Sequence, residues 1–152
     1  MDTNLLVFIV QLLTPTVALI TALILYISIK SNNKINQRII FNEIVKQERE
    51  LRIKLSEYRE EIHKRLKISK NPENFKEITL DYDTLLFNYY EYVALCIHQK
   101  LVNERETKIY FRDLLREVRE KFEDSILFEE KYADKNQYKC LQWLFRKWKI
   151  NY

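Results

Sequence analysis

Leu85-Leu86-Phe87-Asn88-Tyr89-Tyr90-Glu91-Tyr92-Val93-Ala94-Leu95-Cys96-Ile97 is apolar or aromatic at nearly every position. A helix with that composition has almost no face to give to water, so it reads as the centre of a bundle, covered on most sides. Thr84, Asn88, Glu91 and His98 share its one remaining arc. Asp81 is a good N-cap for it, and the helix is expected to run from there to about Val102. The chain has 152 residues and no glycine, which disfavours tight hairpins and removes Gly-rich phosphate loops and dinucleotide fingerprints. The expected fold class is all-α.

Towards the C-terminus, Asn103 should cap a third helix, with Glu106 three residues on as in a capping box. Phe111, Leu114, Leu115, Val118 and Phe122 form its apolar stripe, and Arg112, Asp113, Arg116, Glu117, Arg119, Glu120 and Lys121 its solvated face. Asp134 caps a last helix with Tyr138, Leu141, Leu144, Phe145 and Trp148 on one side and Lys139, Trp143, Arg146 and Lys147 on the other. These helices can close a small core, with the end of the preceding segment as a fourth.

Towards the N-terminus, Asn71-Pro72 stops a helix, and Ser69 to Leu80 reads as a linker. Before it lies a stalk, residues 30–70, with 12 Lys or Arg against six Glu, whereas residues 71–152 come to about −1. Phe41, Ile44, Leu51, Leu55, Tyr58 and Ile62 follow a 3-4 spacing that Glu48 interrupts. The stripe suits either a coiled coil or a helix laid on the domain that follows. As straight helix, Lys30 to Ile68 would extend roughly 58 Å.

The run LLVFIVQLLTPTVALITALILYISI, residues 5–29, carries no charge. It exceeds the roughly 20 apolar residues that cross a bilayer core, so one transmembrane helix is expected over 1–29, with tilt and a kink at Pro15. A cleaved signal peptide fits less well: Asp2 stands where basic residues belong and no small-residue cleavage site closes the run. Lys30, Lys34 and Arg38 follow the span, which places the N-terminus outside and residues 71–152 in the cytoplasm, with the basic residues on anionic inner-leaflet headgroups. Thr14, Ala18 and Ala22 recur every four residues, a small-residue ladder on which two spans could pack. Glutamates interrupt the basic run, which disfavours nucleic acid as its partner.

Asn88-Tyr89-Tyr90-Glu91-Tyr92-Val93-Ala94, followed by Trp143-Leu144-Phe145-Arg146-Lys147-Trp148, resembles an uncharacterised family of small bacterial membrane-anchored helical proteins. The resemblance covers about residues 80–150 and the layout of one span and a charged stalk. It implies a bacterial origin and no enzymatic activity.

Chemistry is sparse. Glu60 and His63 have the Glu-x-x-His step of di-iron bundles, but the second copy such a site needs is missing. Cys96 and Cys140 are too far apart to read as a disulfide framework or zinc site, and are expected as buried small hydrophobes. Asn88, Glu91 and His98 are expected as buried polar groups; Glu91 would bond a tyrosine, a helix cap or an Arg of the third helix rather than act as an acid or base. No catalytic residue, metal, cofactor or small-molecule ligand is assigned. Lys139, Trp143, Arg146 and Lys147 form a candidate partner surface. The expected function is a single-pass inner-membrane protein whose helical module binds another protein or its own copies, as anchor, adaptor or sensor. The alternative is a membrane-depolarising effector of a bacterial defence or toxin system.

Overall fold

The computed structural model describes the backbone of residues 3–68, 73–129 and 132–150, and the side chains of these except 3–16, Ala18, Glu73 and Asn74. Every element is helical: α1 (Thr3–Ile68), α2 (Glu73–His98), α3 (Glu104–Glu123), α4 (Ile126–Glu129), a 3₁₀ turn (Lys135–Tyr138) and α5 (Lys139–Trp148). Two compact units divide the chain, Met1–Gln37 and Arg38–Tyr152. The first consists of the N-terminal part of α1. Among the described residues no helix is long and apolar enough to cross a membrane. The Asn71-Pro72 stop and the Asp2 flank lie outside the described residues.

In the second unit α2 is the central element. Phe87, Val93 and Ala94 are fully buried. Phe87 meets Phe122 of α3 edge-on at 5.1 Å, Phe128 of α4 at 5.7 Å and Tyr138 at 6.0 Å, geometries that aromatic rings favour. Leu141, Leu144, Phe145 and Trp148 of α5 and Phe111, Leu115 and Val118 of α3 close the same core. Ile44, Leu51 and Leu55 of α1 also belong to it, so this part of the stalk stripe lies against the bundle within its own chain. Tyr89 Oη donates to the Ile44 carbonyl at 2.8 Å and fixes the register of the two helices.

Several boundaries differ from those expected. α2 begins at Glu73 rather than Asp81, because the stripe that includes buried Tyr82 already starts with Ile78, one turn earlier. Residues 73–80, read as linker, are therefore its first two turns. At its other end α2 stops at His98 rather than Val102. Lys100 takes the left-handed conformation (φ 57°), and the Lys100 and Leu101 amides bond back to the Ile97 and Cys96 carbonyls, at 3.1 and 2.9 Å. This is a Schellman closure. α5 ends the same way at Lys149 (φ 50°), with Ile150 N bonding to Phe145 O. A chain without glycine has put lysine in both left-handed positions, where the Cβ costs on the order of 1 kcal/mol each. α4 was not expected; it is a single turn.

Asn103 caps α3 as expected, its side chain accepting from the Arg105 and Glu106 amides. Asp134 caps the 3₁₀ turn that leads into α5. Where α2 meets α4, buried Asp83 accepts a hydrogen bond from Ser125 Oγ, which itself accepts from Leu127 N. Burial pushes the Asp83 carboxyl above its ordinary value, and the Ser125 bond only partly opposes this.

Two outcomes are expected. Phe87→Ala removes the ring at which α2, α3, α4 and the 3₁₀ turn meet, and should cost about 3–5 kcal/mol in urea unfolding. Because the folded Asp83 holds its proton more tightly than the unfolded one, its contribution to stability falls as pH rises from the ordinary carboxyl value through the raised one. Urea midpoints of wild type should therefore decline relative to Asp83→Asn over that window.

Candidate functional site

Three features emerge. The first is in the N-terminal unit. Every described side chain from Val17 to Asn36 is exposed, including Leu19 at 72% and Leu23, Ile24, Leu25, Tyr26 and Ile27 on all faces of the helix. Lys30, Lys34 and Arg38 follow at one-turn spacing, all exposed, with the Lys30 ammonium 5.8 Å from the Tyr26 ring centroid. Of the proposed packing ladder, Ala22 is exposed, and the side chains of Thr14 and Ala18 lie outside the described residues.

The second is the polar arc of α2, which the structure does not hold together. Glu91 is half-buried, and its two oxygens accept the Cys140 and Leu141 amides of α5 at 3.0 and 2.7 Å. Tyr138, at the N-cap position, supplies no side-chain cap, so a carboxylate from another helix does that work and meets the positive end of the α5 dipole. Both Glu91 oxygens are thus engaged in capping the first turn of α5. Asn88 and His98, expected as buried, are exposed, because the helices packed on α2 leave these two side chains open to water. His98 sits edge-on to Trp143 at 4.8 Å, and Lys147 lies 4.7 Å from the same indole. Trp143 is half-buried, with Lys139, Arg146 and Lys147 exposed around it. Glu104 at the start of α3 accepts from Lys147 Nζ (2.6 Å) and the Trp148 indole (3.0 Å), and these bonds, Lys147 first, hold its carboxyl below the ordinary value. The thiols of Cys96 and half-buried Cys140 are pushed up by desolvation, which keeps them protonated and weakly nucleophilic. Among the described residues no cluster of His, Cys, Asp or Glu could hold a metal.

The third was not anticipated. Glu48, seen in the sequence as a break in an apolar stripe, is 2% exposed. It lines a cavity of about 250 Å³ between α1, α2 and α3, together with Arg52, Arg59, Tyr82, Tyr90 and Lys121. Glu48 Oε1 accepts from Arg52 Nε one turn on, while Oε2 is buried without a hydrogen-bond partner among the described residues. Farther along, Arg59 donates to Tyr82 Oη at 3.0 Å, and Lys121 Nζ lies 4.6 Å from the Tyr82 ring centroid. Burial, then the Glu48 charge, pushes the Tyr90 phenol up, so it stays a neutral donor or acceptor. The signal in the sequence was a carboxylate at an interior position of a 3-4 stripe.

A family model described as a domain of unknown function (DUF4760) matches residues 10–148. No curated protein and no solved structure matches the chain.

Glu91→Ala leaves the first turn of α5 uncapped and should cost about 1–2 kcal/mol in thermal or urea unfolding. Glu91→Gln, which keeps one acceptor oxygen, should fall between Glu91→Ala and wild type.

Proposed function

We propose, for a chain that belongs to the DUF4760 family, that it is a bacterial inner-membrane protein, anchored by one helix over residues 5–29 and carrying a cytoplasmic helical module that binds a protein partner or its own copies. The observation that carries this reading is the exposed apolar surface on every face of α1 from Val17 to Ile29. A helix that is apolar all round needs a non-aqueous surrounding, and the described side chains of this part are exposed. Residues 17–29 would be the inner part of a span whose first part, 5–16, has side chains outside the described residues. Tyr26 and Lys30 would sit at the headgroup level, and Lys34 and Arg38 beyond it, on the cytoplasmic side. The family match begins inside the apolar run, which supports treating the run and the bundle as one functional unit.

The module offers Trp143 ringed by Lys139, Arg146 and Lys147 as its partner surface, an indole among cations of the kind enriched at protein interfaces. The Thr14, Ala18, Ala22 spacing supports pairing of spans. No side chain in the module is proposed as catalytic; the protein acts as an anchor, adaptor or sensor.

Fractionation tests this. The full chain should stay with bacterial membranes through an alkaline carbonate wash, and Val17→Lys with Ile20→Lys should release it, since each lysine near mid-span costs about 2.5–3.5 kcal/mol. Full chain in the supernatant would overturn the reading. Ala22→Leu should reduce cross-linked dimers, and collapse of a dye-measured membrane potential on expression would move the protein to the depolarising class.

A further inference from the structure

We propose that the side of α2 left open by its neighbours is a pairing face for a second copy of this chain, the two α2 helices running parallel about a two-fold axis along Asn88, Tyr92 and Leu95. The inference rests on the self-association named in the reading above, and every residue it uses belongs to the unit Arg38–Tyr152.

At 100° per residue, Asn88, Tyr92, Leu95 and Gln99 fall within about 60° of one another on α2. All four are exposed, Tyr92 at 42% and Leu95 at 37%. Tyr89, which bonds α1, and Glu91, which bonds α5, stand roughly 80° to either side of this stripe. Tyr90, against Phe111 of α3, stands behind it. Three helices thus cover three sides of α2 and leave the fourth to water. Half-buried Trp143 borders that side, packed on His98 at 4.8 Å. An aromatic and aliphatic centre inside a polar rim is the make-up of a protein interface.

The two rims identify the partner. On the α1 side, a bond to Cys96, then burial, then the Glu43 charge push the Tyr92 phenol up, which sets Glu43 near that ring. Farther along this rim, Lys54, Glu57, Tyr58 and Glu61 line a groove with Leu85 of α2. Lys46 pairs with Glu50 at 4.0 Å and Arg65 with Glu61 at 2.9 Å, so Glu43 and Glu57 set the sign of the rim against Lys54. The α5 rim is basic: Lys139 and Arg146 are exposed, and Lys147 is shared with Glu104. Because Glu91 holds the first amides of α5, Lys139 lies at the level of Tyr92 and Glu43. A two-fold axis along the stripe lays each acidic rim on the partner's basic rim, with Glu43 facing the partner's Lys139. An axis across the stripe would set like rims together, acid on acid and base on base, which is costly. An unrelated partner would need no such match between the two rims of one chain.

The test uses the purified full chain in detergent. In a Cys96→Ala, Cys140→Ala background under a mild oxidant, Leu95→Cys lies on the axis and should form a disulfide-linked dimer. Ile109→Cys, at a position 79% exposed on α3, should not. In the native cysteine background, Glu43→Lys and Lys139→Glu should each raise the dimer dissociation constant in sedimentation about tenfold, because the symmetry breaks the pair twice. The two substitutions together should restore it. Equal linking at positions 95 and 109, an unchanged constant in Glu43→Lys, or no recovery in the double variant would overturn the proposal. Membrane fractionation of the same chains keeps the two readings apart: linked dimers in the supernatant would sink the anchor alone, and unlinked chains in the membrane would sink the pairing alone.

Discussion

The bundle depends on covering α2. A helix with apolar side chains on nearly every face is stable only when other helices surround it, and each neighbour supplies one amphipathic stripe: Ile44 to Leu55 from α1, Phe111 to Phe122 from α3, Leu141 to Trp148 from α5. Non-directional burial of this sort selects no register by itself. The few polar side chains of α2 do that. Tyr89 reaches an α1 carbonyl, Glu91 receives the first amides of α5, and Asp83 ties Ser125 ahead of α4. Each of the three bonds a different neighbouring element, so small polar groups set the order of a core that apolar area stabilises.

What was legible in the sequence follows the same division. Local signals gave the all-helical class, the Asn103 cap and the stripes of α3 and α5, because caps and 3.6-residue spacing are properties of a single segment, whereas Asp134 caps the 3₁₀ turn before α5 and not α5 itself. The start of α2 was missed because Asp81 has the chemistry of a cap, and only the burial of Ile78 shows that the helix is already under way there. The single turn of α4 has too few residues to show a period. Asn88, Glu91 and His98 share one arc, yet only Glu91 has a helix end opposite it, and what lies across an interface is not written in spacing. Glu48 was visible as an interruption. Its burial is decided by α2 and α3, more than thirty residues away in sequence.

Glu48 and Glu91 show two uses of a carboxylate in a helical core. Glu91 spends both oxygens on backbone amides that would otherwise lack acceptors, so it strengthens the fold. Glu48 leaves one buried oxygen without a hydrogen-bond partner among the described residues, an arrangement that costs stability.

Because α5 supplies one wall of α2, the order of synthesis matters. A ribosome finishes the greasiest helix some forty residues before it makes the segment that shields it, so the nascent bundle travels part-covered, with Phe87 and its neighbours open to chaperones or to wrong partners. Messages cut short between His98 and Lys139 would yield chains that cannot hide this surface, and cellular proteases would be expected to clear them first.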